Sequence, residues 1–133
     1  MTSNDPKARQ ALLALRLTVA TLIFIHGSFR LLSGGVAGFG EFLDGNHIPL
    51  GSVVAWAITL IEISGTPALA LGRWVRPLAL YYVAELSVGI ALVHASEGWF
   101  VVGGGRNGAE YSLLLIACFL VLAWAPPQSK AAA

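Results

Sequence analysis

The chain is poor in charge. Of its 133 residues, eight are Lys or Arg and seven Asp or Glu, 11% in all, against about 25% in a soluble domain. So few charges cannot coat a surface that faces water. With 56% of residues in the hydrophobic set and a mean hydropathy of +0.74, the composition points to a membrane protein. A formal net charge of +1 supplies no basic field and excludes nucleic acid as a partner. Cysteine is nearly absent. Cys118 alone rules out a disulfide framework, a CxxC redox pair and a thiolate metal centre built from one chain. It sits in an apolar run and reads as an inert core thiol. The apolar content excludes intrinsic disorder, and the length suits a single domain, 1–133.

Four apolar stretches are present, over residues 11–32, 50–71, 75–95 and 109–125. A helix needs about 20 mostly apolar residues to cross hydrocarbon, so the last would span with little tilt. The first is interrupted by Arg16 and is followed by no A-x-A site, so it reads as a retained helix rather than a signal peptide. Gly72-Arg73-Trp74-Val75-Arg76-Pro77 is a short turn with Gly to stop one helix and Pro to start the next, which makes an antiparallel hairpin. Residues 33–49 are Gly-rich but carry Phe39, Phe42 and Leu43 at helical spacing, as in a short interfacial helix. Residues 96–108 hold Trp99 and Phe100 at a bilayer edge, followed by a flexible turn through Gly103, Gly104, Gly105 and Gly108. Lys7, Arg9, Arg73, Arg76 and Lys130 fall on one side and only Arg30 and Arg106 on the other. The positive-inside rule then predicts cytoplasmic N- and C-termini.

The informative residues are ionisable ones at membrane depth, where a charge costs a few kcal/mol and must face a partner or the bundle interior. Arg16 and His26 lie in the first stretch, Glu62 in the second, Glu85 and His94 in the third, and Glu110 opens the fourth. Glu62 falls roughly 18 Å below the outer edge and Arg16 roughly 24 Å below it, within reach of a long side chain. An Arg16–Glu62 pair is therefore expected, either as a functional centre or as structural glue between helices. Glu85 lies at similar depth, so that one guanidinium would face two carboxylates. A second cluster, His26, Arg30, His94 and Glu110, is expected near the outer face. Arg16, His26 and Arg30 share one face of the first helix, whereas Glu85 and His94 point to opposite sides of the third. Arg30 suits snorkelling to headgroups, and nothing in the His and Glu spacing favours a metal. Gly103, Gly105 and Gly108 match G-x-G-x-x-G, but no strand precedes them, so nucleotide binding is rejected.

In order and spacing the residues resemble the DoxX family over nearly the whole chain. The resemblance rests on His26-Gly27 with Arg30-Leu31 after a first helix containing Arg16, on Ile48-Pro49, and on Glu62 followed by Gly72-Arg73. It continues through Ala91 and His94, Gly98-Trp99-Phe100, Gly104 and Glu110-Tyr111. It implies an all-α integral membrane four-helix bundle, multi-pass in a bacterial plasma (inner) membrane, with a link to redox chemistry. Relatives include the membrane subunit of a thiosulfate–quinone oxidoreductase, and DoxX-like proteins associate with thiol and oxidative-stress enzymes. Carried onto this chain, the resemblance marks Arg16, His26, Glu62, His94 and Glu110. Glu85 departs from the apolar residue expected there.

The resulting expectation is a membrane subunit of a redox system that binds a quinone or other small hydrophobic ligand in a polar site within the bundle. His26, Glu62, His94 and Glu110 would carry proton chemistry, Arg16, Arg30 and Trp99 would bind the ligand, and no metal is called for. The partners would be the lipid bilayer, a redox protein that supplies electrons, and further copies of the chain in a homo-oligomer. The alternative is a non-enzymatic scaffold that recruits redox or stress-response enzymes. A proton-coupled carrier is a weaker third reading, since four helices are few and no inverted repeat is visible.

Overall fold

The computed structural model describes residues 5–126. Among them every regular element is helical. Helices α1 (Pro6–Leu32), α2 (Gly35–Gly45), α3 (Gly51–Ala70), α4 (Val75–Gly89) and α5 (Glu110–Trp124) follow in order, and α4 runs on through a π-helical turn, Ile90–His94, and a 3₁₀ turn, Ala95–Glu97. Each of the four apolar stretches is a helix, and α2 is a fifth, built on the Phe39, Phe42 and Leu43 spacing. Three helical stretches are long and apolar enough to cross a membrane: Pro6–Leu32, Gly51–Ala70 and Val75–Glu97. Helix α5, at 15 residues, measures only about 22 Å, short of the roughly 30 Å hydrocarbon core.

The chain divides into two compact units. Among the described residues one comprises 20–73, the other 5–19 together with 74–126. In the first unit, buried positions on α3 recur three and four apart: Gly51, Ala55, Thr59, Glu62, Thr66 and Leu69. Small and polar side chains thus face inward, while Val53, Trp56 and Leu60 are exposed. This inverts the water-soluble pattern. It suits lipid, where close backbone packing and polar contacts hold helices together.

Helix α2 seats on the start of α3 through glycine. A Cβ on Gly51 would collide with the Gly40 carbonyl oxygen, and one on Gly40 would lie 2.9 Å from Ser52 Cα. The first N–H of α3, on Gly51, donates to Asp44 Oδ1 at 2.9 Å, so a side chain from α2 caps α3. The helix reverses at both ends through left-handed residues, Gly34 (φ 74) before it and His47 (φ 63) and Leu50 (φ 61) after it.

In the second unit α4 packs against α5. Ala79, Tyr82, Leu115, Phe119 and Leu122 are buried. The Tyr82 and Phe119 rings meet at 5.1 Å in a tilted arrangement. Asp5 caps α1 through Oδ1, which accepts the Lys7 N–H at 3.0 Å. Pro6 then occupies the first helical position, where its missing N–H costs nothing.

Candidate functional site

The first unit carries a polar cluster inside an apolar shell. Arg30, near the end of α1, meets Glu62, at the middle of α3. Its Nη1 donates to Glu62 Oε2 at 2.6 Å and its Nη2 to Oε1 at 3.3 Å, a charge-assisted bidentate pair. Nη1 also donates to Thr59 Oγ1 at 3.2 Å. The Thr59 hydroxyl spends its own proton on the Ala55 carbonyl at 2.7 Å, so it can only accept from the guanidinium. Phe39 of α2 lays its ring against the guanidinium, 4.5 Å from Cζ to centroid, a favourable cation–π placement. Thr66 Oγ1 donates to the Glu62 carbonyl at 2.6 Å.

Close approach makes the pairing possible. Ala20, Ile23, Gly27 and Arg30 fall on one stripe of α1, and Gly27 is buried. A Cβ there would stand 2.7 Å from Glu62 Cβ and 2.9 Å from Oε2. Only glycine lets α1 pass this close to the carboxylate. Glu62 and Thr59 are 1% and 0% exposed, whereas the Arg30 side chain is 14% exposed. The arginine is thus the member of the cluster that can be reached from outside.

The second unit places His94, Trp99 and Glu110 around a loop. His94 Nδ1 lies 2.7 Å from the Asn107 carbonyl oxygen. A carbonyl only accepts, so Nδ1 carries the proton and Nε2 is the nitrogen left for other chemistry. Glu110 Oε1 accepts the Val101 N–H at 2.9 Å. The loop base is closed by Gly108 N–H to Phe100 O, Ala109 N–H to Gly98 O and Glu110 N–H to Trp99 O, all at 3.0–3.1 Å. Gly108 abuts the Trp99 carbonyl so tightly that a Cβ would collide with it. The turn expected to be flexible is therefore pinned at its base. Trp99 is 55% exposed.

One expected grouping changes. The guanidinium at Glu62 comes from Arg30 rather than from the expected Arg16, and Arg30 is turned to a carboxylate rather than to headgroups. The depth count measured α1 and α3 from a common edge. Glu62 lies about 16 Å along α3 from Gly51, yet Arg30 is within about 3 Å of the end of α1, so the two helix ends are not level. The residues expected near the outer face belong to both units. Arg30 belongs with Glu62, while His94 and Glu110 bond to their own loop. His26 is exposed on α1, one turn before Arg30. Arg16 and Glu85 lie in the other unit, and Arg16 Nε and Glu85 Oε2 are buried. Among the described residues no three His, Cys, Asp or Glu side chains converge as a metal site requires. Thr59 is a member of the site that the sequence reading did not single out, and Phe39 one that it placed elsewhere. Thr59 stands three residues before Glu62 and so shares its face, a signal that was there to be used. Phe39 was legible only as part of an interfacial helix.

A family model, DoxX, matches residues 11–95, more than half of the chain. The chain belongs to the DoxX family. The DoxX match contains Arg16, His26, Arg30, Glu62 and His94, and ends before Trp99 and Glu110. The whole Arg30–Glu62 cluster therefore lies inside the DoxX region, and the loop carrying Glu110 extends past it. A protein of Haemophilus influenzae, described as uncharacterized, is 28% identical over 119 residues, covering 89% of this DoxX chain and 85% of that protein. No solved structure matches.

Proposed function

We propose that this chain is the membrane subunit of a redox system and that it binds a quinone or another small hydrophobic ligand at the Arg30–Thr59–Glu62 centre. In this reading it is a multi-pass four-helix protein of the bacterial plasma membrane with both termini cytoplasmic. The observation that carries the reading is a bidentate ion pair set within an apolar unit, with only its arginine accessible. Intramembrane ionisable groups mark substrate and proton paths more often than chance would place them. Reduction of a quinone to its quinol takes up two electrons and two protons. A partner protein supplies the electrons. His26, exposed one turn from Arg30, is the proton-exchange candidate of this unit, and Glu62 holds Arg30 in place. Within the second unit, taken by itself, His94 Nε2 and Glu110 are the proton-handling candidates and Trp99 and Arg16 the ligand-contact candidates.

Solvent extraction of the purified protein tests this reading. Quinone retained near one per chain, and lost in the double variant R30M/E62M with helical content intact, is the expected result. A protein that carries no quinone and takes up none when it is supplied overturns it.

One set of observations favours a second reading, a scaffold that recruits redox or stress-response enzymes. His94 and Glu110 are both engaged in holding the loop, and the Arg30–Glu62 pair ties α1 to α3. Co-purification of a redox enzyme with ligand-free protein, undiminished in R30M/E62M, would favour it.

A further inference from the structure

We infer that Arg30 keeps one donor edge for a ligand, and that this edge takes an uncharged oxygen acceptor, such as a carbonyl, from a lipid-soluble molecule. The inference rests on the ligand-binding reading above and names the chemistry of that ligand.

A guanidinium has five N–H donors. Three are used. Nη1 serves Glu62 Oε2 and Thr59 Oγ1, and Nη2 serves Glu62 Oε1. The two that remain, Nε–H and the outer Nη2–H, lie along the same side of the group and point the same way. They make no hydrogen bond among the described residues. Together they form a fork that can close on one oxygen or on two neighbouring ones. In hydrocarbon no bulk water satisfies such donors, and leaving them unmet is costly. Arg30 is also the accessible member of its cluster, at 14% against 1% for Glu62.

Charge decides what the fork accepts. Arg30 and Glu62 together are neutral. A carboxylate or phosphate added to the cluster would leave one uncompensated negative charge beside Glu62 in a low dielectric, which is heavily penalised. A carbonyl oxygen brings acceptor lone pairs without that charge. Phe39 adds shape, because its ring, 4.5 Å from the Arg30 Cζ, is a flat apolar wall against the guanidinium. A planar conjugated carbonyl compound fits such a wall better than a branched one. Two sources offer this chemistry, a free quinone-like molecule and the ester carbonyl of a phospholipid.

The test uses the full chain in nanodiscs of ether-linked phosphatidylcholine, which has no ester carbonyls. Decylbenzoquinone is titrated as the uncharged probe and decanoate as the anionic one. Infrared difference spectra report the quinone carbonyl stretch. We expect the wild type to bind decylbenzoquinone with a lowered carbonyl frequency and to bind decanoate weakly. R30K keeps a cation for Glu62 but lacks the fork, so binding weakens about tenfold or more and the frequency shift disappears. E62Q keeps the shape of the site but leaves Arg30 as net positive charge, so it gains decanoate binding about tenfold or more over wild type. In ester-linked discs, weaker quinone binding identifies the lipid carbonyl as a competing occupant and equal binding identifies the free molecule; both agree with the inference. Equal affinity and an equal carbonyl shift in wild type and R30K overturn it while the ligand-binding reading stands. Decanoate binding by wild type as tight as quinone binding overturns the charge argument. Absence of quinone binding by wild type removes the ligand-binding reading itself.

Discussion

Glu62 is buried, paired with Arg30 and closely approached by Gly27, and that makes it sensitive to change. Replacing it by Ala strands the Arg30 guanidinium in an apolar unit. Removal of one partner of a buried pair costs about 3–5 kcal/mol. The double variant R30M/E62M removes both charges and is expected to lose markedly less than the two single variants combined, as read by thermal unfolding in detergent. Gly27→Ala tests close approach instead of charge. Its methyl would meet Glu62 Cβ at 2.7 Å, and overpacking of this kind costs about 1–3 kcal/mol. Glu62 itself was legible in the sequence, because a carboxylate at hydrocarbon depth has to be explained. Its partner was not. Choosing between Arg16 and Arg30 depends on the axial offset between α1 and α3, and residue counts along each helix hold no information about that offset.

Helix α2 and the loop before α5 are local structures, each of which uses one carboxylate to accept a backbone N–H. Asp44→Ala removes the acceptor for the Gly51 N–H, and loss of such a cap costs about 1 kcal/mol. Faster hydrogen exchange at the Gly51 amide is the expected mark. Glu110→Ala removes the acceptor for the Val101 N–H. Exchange at Val101 is expected to rise there, with exchange in the α4–α5 core around Tyr82 and Phe119 unchanged. The aromatic spacing of α2 made the helix visible in the sequence. Its seat did not show, because the collision of a Gly51 Cβ with the Gly40 carbonyl arises only once the two helices touch. The π-helical turn at Ile90–His94 was hidden for another reason. One additional residue in a turn leaves the apolar pattern of a short segment nearly unaltered, so the direction of His94 could not be counted from Glu85.

For the chain as a whole, the number of crossings fixes the placement of its ends. Three helical stretches are of spanning length, and three crossings alone would leave the termini on opposite sides. Cytoplasmic placement of both, as the arginine and lysine distribution predicts, requires α5 to cross as well. Cysteine-accessibility labelling at Lys7 and at Pro126, in a Cys118→Ala background, is expected to give modification from the same side. Labelling from opposite sides would remove α5 from the set of crossings. The helical class was evident in the sequence because apolar runs of this length leave little choice, and the DoxX match agrees with it.

If α5 does cross, its 15 residues reach some 8 Å less than the acyl layer is thick. Lipids alongside Leu114, Leu120 and Val121 must then shorten, drawing both leaflets toward each other at that flank. A dimple of this kind repels long, saturated chains and gathers short or unsaturated ones. It would also draw this protein toward other inclusions that deform the sheet in the same sense, without any side chain having to recognise them.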